Sequence, residues 1–390
     1  MNILIEGWRG INHSFSLVNQ WQILELSKSC EIFFKDVPFV SKKWDTKKNF
    51  SGLEKNLSTF ISNIPSPHKS QTHDITYRIS FPFNFNNEFN SKILVVFGNC
   101  EHKVLSKSKY INDIPERLKL NNDFYIHTPS NWCKEGYLKA GFKDEQVIVV
   151  PHGINEKTFN TISDEEKMIA RKEYGIKSNA FILTNIGAMT QNKGIEILIA
   201  AYGIIKKKIN NLQLILKDQS NLYDIKPNYL FDKIRQSEFN KKYKIINDEM
   251  MKDVKIISKN LSMNEVKELY SISDCYVSPY IAEGFNLTPL EAAACGSQIV
   301  ITKGGCTDDY YHPCLGHQIE SIEKKVNDVC FLEPKLDSLV SILEEYVKPA
   351  VASDGGNIAF EHYDANQKIV HVLLQGACSG CPSSTFTLKN

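Results

Sequence analysis

Short apolar runs alternate with amphipathic segments along most of this chain, a pattern that predicts α/β domains with parallel sheets. In the first half, the runs at residues 3–5, 93–97, 124–127 and 147–150 read as strands. Between the first two, SFSLVNQWQILELS spaces its apolar positions along one face of a helix. The turn PHGINEKTFN closes this half. Ser163, followed by Asp164, Glu165 and Glu166, then opens a capped helix. A second alternation follows, with strands at 181–187, 212–216, 254–257, 275–279 and 298–302. Its helices start at Gly194, span 264–271 and begin again near Leu287. Two such sets, joined near residue 155, imply two Rossmann-like domains facing a cleft. No repeat of solenoid length interrupts them.

The pattern changes after residue 335. LDSLVSILEEYV reads as one helix, with Pro349 beyond it or bending it. SDGG stops that helix, and NIAFEHYD and KIVHVLLQG read as a hairpin around ANQ. Only Lys368 and Lys389 supply lysines after Val351, a shift in composition at the same place. The expected domains are therefore 1–155, 156–335 and 336–390.

Composition narrows the function. Forty-six basic residues against forty-five acidic ones leave a net charge of +1, so nucleic acid is not an expected partner. The first apolar run is too short for a signal-peptide core, and no later run is long enough to span a bilayer. Of ten cysteines only Cys378 and Cys381 form a tight pair, which reads as reduced thiols in a cytoplasmic protein. VSKKWDTKKNF sets Lys42, Lys43, Lys47 and Lys48 around Trp44 and Phe50. That run is a solvated loop or a peripheral contact with an anionic membrane face.

The most informative stretch is PYIAEGFNLTPLEAAACG. A strand ends at its prolines, a glycine-containing loop follows, and a helix begins near Leu287 and Thr288. Unpaired N–H groups at that helix start suit a phosphate. Glu283 on the loop and Glu291 one turn into the helix are, by spacing alone, either incidental acids of a capped surface helix or carboxylates that hold sugar hydroxyls on either side. The run resembles the E-x7-E donor motif of the retaining GT-B glycosyltransferases of family 4 (group 1). IHTPSNWCKEGYLKAGFKDEQVIVVPHGINEKTF, TNIGAMTQNKGIEILIAAY, IISKNLSMNEVKELYSISDCYVSPY and ITKGGCTDDYY are similar to other parts of that family. The resemblance covers residues 1 to about 335.

The resemblance implies a metal-independent transferase that moves a sugar from a nucleotide-sugar donor to a glycan or glycoconjugate acceptor, with retention at the anomeric carbon. It places Lys193 on the donor diphosphate, while the family's arginine position is Ala188, and one lysine does not replace an arginine fork. Gly284, Phe285, Asn286, Leu287 and Thr288 become donor-binding positions beside the catalytic candidates Glu283 and Glu291. Gly7, Arg9 and Gly10, after the first strand, are expected across the cleft from the donor phosphates. Glu101 or His102 stands where the family often carries a histidine near the reacting sugar.

The end of the chain carries a lone CxxC, which by itself reads as half a zinc site, a redox motif or a chance pairing. The longer pattern EEYVKPAVASDGGNIAF…VLLQGACSGCPSSTFTLK resembles the NifU-like domain of iron–sulfur cluster assembly. In that family two such pairs, one from each of two chains, bind a single 4Fe–4S cluster. The implied partner is a second copy of the chain, with Cys378 and Cys381 as ligands. Compared with the family, the α+β module stops early after TLK and is expected to be incomplete. The leading expectation is a glycosyltransferase with this appendage. The alternatives are an iron–sulfur scaffold whose NifU-like part does the work, and a GT-B epimerase or phosphorylase.

Overall fold

The computed structural model describes residues 1–47, 50–86, 90–105, 114, 116–177, 179–352, 357–364 and 369–375, with backbone alone from residue 348 onward. Each alternation becomes a six-stranded, all-parallel sheet. The first contains β1 (Asn2–Gly7), β2 (Glu31–Asp36), β3 (His73–Ile79), β4 (Ser91–Phe97), β5 (Phe124–Thr128) and β6 (Val147–Val149). Their order across the sheet is β2-β1-β3-β4-β5-β6. The second contains β7 (Phe181–Ile186), β8 (Leu212–Lys217), β9 (Val254–Ile257), β10 (Cys275–Ser278), β11 (Gln298–Thr302) and β12 (Gly316–Ile319). Their order is β12-β11-β10-β7-β8-β9. This is the expected pair of Rossmann-like domains, of the GT-B type.

Two strands of the first sheet were not anticipated: β2, whose residues Ile32, Phe33 and Phe34 are apolar and buried, and β3, which carries no simple apolar signal. In β3, His73, Thr76 and Arg78 are buried. Arg78 pairs in register with Glu6 of β1, which pairs in turn with Lys35 of β2. The charges form a row across three strands, with Arg78 Nε 2.7 Å and Lys35 Nζ 2.8 Å from the Glu6 carboxylate. Burial works against the Glu6 charge, but the two cations outweigh it and hold the carboxyl below its ordinary range. A buried pair of this kind lets a central strand carry arginine.

The second sheet is buried on both faces, as alternate residues of β7 and β8 show. Leu183, Leu214 and Leu216 enter one cluster with the helix Ile195–Lys206. Ile182 and Ile215 enter the other with Tyr270, Tyr276 and Ala292. The helix Leu336–Ala352 runs through Pro349 and packs on the first of these clusters. Leu339, Leu343 and Val347, one stripe at helical spacing, are fully buried there.

Ser321–Val326 (β13) and Val329–Pro334 (β14) form a hairpin absent from the sequence reading. Its turn places Asn327 and Asp328 at φ 48° and 65°, the left-handed pair a tight hairpin requires. Asn357–Asp364 (β15) and Ile369–Gln375 (β16) pair antiparallel, as expected for NIAFEHYD and KIVHVLLQG. The expected helix stop at 353–356, the turn at 365–367, and Cys378 and Cys381 lie outside the described residues.

Polar contacts join the two domains. Lys43 pairs with Asp224 at 2.8 Å, and Trp44 Nε1 donates to the Leu222 carbonyl at 2.9 Å. Trp44 is therefore buried in the domain junction rather than presented to a membrane face. Asn131 donates its backbone N–H to Asp309 at 2.7 Å, and Lys103 reaches Glu323 at 3.2 Å. Among the described residues, no helix is long and apolar enough to cross a membrane.

Candidate active site

Between the sheets lies a cavity of about 1150 Å³. Its walls come from the carboxyl ends of strands and the loops after them, the usual place for a ligand in open parallel sheets. Ile186 and Lys217 end β7 and β8, Phe97 ends β4, and all three line it.

The loop after β10 is shaped by its own side chains. Asn286 adopts φ 61° and ψ 67°, a left-handed conformation that asparagine tolerates. Its Nδ2 donates to Ser278 Oγ at 2.9 Å, and its carbonyl accepts from Tyr310 Oη at 2.8 Å. Occupied in this way, the Asn286 side chain does not cap the helix Leu287–Ala294. Leu287 and Thr288, at that helix start, line the cavity. They are suited to an anion.

Two loops of the second domain are laced together beneath this helix. The Asn192 carbonyl accepts from Ile281 N at 2.7 Å and Ala282 N at 3.2 Å. Asn192 Nδ2 returns a bond to the Ala282 carbonyl at 3.2 Å. Gly194, at φ 65°, lies against the Pro279 carbonyl, where a Cβ has no room. The lacing brings Lys193 onto Glu283, Nζ to Oε1. Burial disfavours the Lys193 charge, yet Glu283 and Glu101 outweigh it and hold the ammonium protonated above its ordinary range. Burial pushes the Glu283 carboxyl up, and Lys193 opposes that push.

The Glu283 loop is also fixed from the first domain. Ser130 Oγ donates to the Gly284 carbonyl at 2.6 Å, and Cys133 Sγ lies 3.5 Å from the same oxygen. Asn99 Oδ1 occupies the space where a residue 284 side chain would begin. Gly284 is thus required by close approach. Asn99 Nδ2 donates in turn to Glu101 Oε1 at 3.1 Å.

Glu291 faces the cavity one turn into its helix and accepts from Tyr270 Oη at 2.8 Å. Burial raises its carboxyl to about 7, against the opposing Tyr270 hydrogen bond. Of the sequence-derived candidates, Glu283, Glu291, Lys193, Phe285, Asn286, Leu287, Thr288, Glu101 and His102 all line this one cavity. His102 turns Nδ1 to the Cys330 carbonyl of β14 at 3.1 Å.

In the segment after β1 the residues that reach the cleft are not the expected ones. Arg9 gives its guanidinium to Asp36 at 2.9 Å and to the Ile61 carbonyl at 2.6 Å, which draws it away from the cleft. Gly7 packs on Ile79, and Gly10 donates to Gln20 Oε1 at 3.1 Å. None of the three lines the cavity; Asn12, His13 and Ser14 of the same loop do. Sequence reasoning also missed Lys217, Tyr270 and His152. His152 sits between Phe97 and Phe285, ring centroids 5.8 and 5.0 Å away, and burial lowers it to about 3. Its position in PHGI, at the domain junction, was the available signal.

Residues 166–313 match the model of the family described as glycosyl transferases group 1, and residues 340–390 match that of the NifU-like domain. An uncharacterized glycosyltransferase of Methanocaldococcus jannaschii is 26% identical over 244 residues, 62% of this chain and 55% of that protein. Nitrogen fixation protein NifU of Anabaena is 49% identical over 55 residues, 14% of this chain and 47% of that protein. The chain spans about half the length of these curated relatives. Anabaena HepE, crystallised with UDP and glucose, superposes with a TM-score of 0.58 at 16% identity, over 91% of this chain and 93% of that one. That likeness is one of fold. The chain therefore carries a group 1 glycosyl transferase region at 166–313, within a GT-B fold, joined to a NifU-like domain at 340–390.

Proposed function

We propose that the cavity transfers a sugar from a nucleotide-sugar donor to a glycan or glycoconjugate acceptor, with retention of configuration and without a divalent metal. One observation carries the reading: Lys193, Glu283, Glu291 and an uncapped helix start converge on a single interdomain cavity. As the bond from the anomeric carbon to the donor phosphate breaks, its electrons pass to the diphosphate. Lys193 and the N–H groups near Leu287 and Thr288 stabilise that charge. The acceptor hydroxyl forms the new bond on the face the diphosphate leaves, and its proton departs with the diphosphate.

Glu291, once ionised, accepts from the ribose hydroxyls. Glu283 holds a hydroxyl of the donor sugar beside the backbone of Gly284, Phe285 and Asn286. Glu101 and His102 stand on the acceptor side. Closure of the domains over the cleft would exclude water and so limit donor hydrolysis. The test is transfer or slow hydrolysis of nucleotide sugars, with the product anomer read by NMR. Turnover lost in Glu283→Ala and Glu291→Ala supports the assignment. Wild-type turnover in both variants overturns it, and phosphate-dependent release of a sugar phosphate points to a phosphorylase instead.

The NifU-like match supports a separate activity. We infer that Cys378 and Cys381 contribute two thiolates to an iron–sulfur cluster completed by a second chain, since such a cluster takes four. Iron and labile sulfide after anaerobic reconstitution test this. About four irons per two chains, lost in Cys378→Ser, are expected; no specific iron removes the inference and leaves the transfer reading untouched.

A further inference from the structure

Lys217 ends β8, a strand otherwise apolar at alternate positions, and is only 2% exposed although it lines the cavity. Its Nζ donates to the Asp218 carbonyl, and no carboxylate contact of this lysine is seen among the described residues. The nearest acid, Asp218, is engaged elsewhere: Oδ1 accepts from Ser220 N at 2.8 Å, and Oδ2 accepts from Ser258 Oγ. Burial without an anion lowers the Lys217 ammonium to about 8, with Asp218 opposing. A buried cation in this condition gains from any anion that enters.

The cavity is short of positive charge. Glu101, Glu283, Glu291 and Glu333 line it, against the two lysines Lys193 and Lys217. Lys193 is already neutralised by Glu283. Ala188, which also lines the cavity, adds none. Lys217 reaches the cavity from the strand next to that loop: it pairs in register with Ile186, and its carbonyl accepts from Gly187 N at 3.0 Å.

We propose that Lys217 is a donor-binding cation that contacts the diphosphate of the nucleotide sugar, supplying the charge that Lys193 shares with Glu283. This rests on the transfer reading above. The test measures binding of UDP, GDP and ADP, and of the matching nucleosides, by calorimetry on the full chain and its Lys217→Met and Lys217→Arg variants. Loss of a charge-assisted hydrogen bond weakens binding roughly 10- to 100-fold. Lys217→Met should weaken the preferred diphosphate by that factor and leave its nucleoside unchanged, and Lys217→Arg should restore most of the loss.

Should Lys217→Met fail to fold, the wild type serves. Its diphosphate affinity should fall as pH rises above about 8, while nucleoside affinity stays level. By then His13 at about 4 and His152 at about 3 are neutral and Glu291 at about 7 is mostly ionised, its residual titration acting on diphosphate and nucleoside alike. Equal losses for diphosphate and nucleoside, or none, overturn the proposal while the transfer reading stands. A wild type that binds no nucleoside diphosphate overturns both.

Discussion

Lys193 and Glu283 come from two different loops and meet as one ion pair on the wall of the cavity. The cation proposed for the diphosphate is thus already held by the carboxylate proposed for the sugar. Donor binding must share that pair or open it.

A split between binding and turnover follows for Glu283→Gln. It releases Lys193, so a nucleoside diphosphate without its sugar should bind at least as tightly as to the wild type. Sugar transfer should fall about 100-fold or more. Calorimetry and a transfer assay on the same preparation check the two halves. Lys193→Ala does the opposite, stranding Glu283, and should lower stability by about 3 kcal/mol in urea unfolding.

Glu291 gives a pH signature. Its folded value of about 7 lies above the ordinary 4.5, so the folded state holds the extra proton between them. The group's contribution to stability is complete below about 4.5 and is lost as pH rises through about 7. Unfolding free energy should therefore slope downward over that window in the wild type and flatten in Glu291→Gln. Binding of the nucleotide, which needs the ionised carboxylate, should strengthen over the same window.

Gly284 and Asn99 form a paired test. A methyl at residue 284 meets Asn99 Oδ1 directly, so Gly284→Ala must push the glutamate loop off the first domain. Transfer should drop at least tenfold while the domains remain folded. Asn99→Ala, added to it, should recover part of the loss because it empties the contested space. A double-mutant cycle on activity measures that coupling.

In the first domain, Arg78→Leu leaves Glu6 buried with Lys35 as its remaining cation. Stability should fall by about 3 kcal/mol. The side chains of Arg78 and Glu6 are only 5% and 11% exposed, so the loss should resist added salt. Urea unfolding at low and high ionic strength checks both statements.

What the sequence revealed, and what it hid, follows from distance along the chain. Glu283, Asn286 and Glu291 lie in one continuous stretch whose spacing is visible by inspection. Lys217 at the end of β8, Tyr270 within the helix Met263–Ile272 and His152 in the loop after β6 join them only once the chain has folded. β3 escaped because its buried charge row breaks the apolar pattern; the pairing that makes Arg78 acceptable is formed by other strands. The β13–β14 hairpin escaped because SIEKKV is mostly exposed, although Asn327-Asp328 carried a turn signal. Arg9 misled because the chain after β1 reaches the cleft only at Asn12, His13 and Ser14, while Asp36 at the end of the neighbouring strand draws the Arg9 side chain away.

The helix Leu336–Ala352 carries the junction between the chain's two matches, since the NifU-like match begins at residue 340. A cut at that residue would separate Leu343 and Val347 from the core they fill and open a cavity in the second domain. Excision is therefore asymmetric. A boundary placed after Ala352 keeps the core of the second domain whole, while a fragment starting at 340 exposes an apolar stripe that its former neighbour had covered. The helix that enters the NifU-like match is thus itself part of the second domain's core.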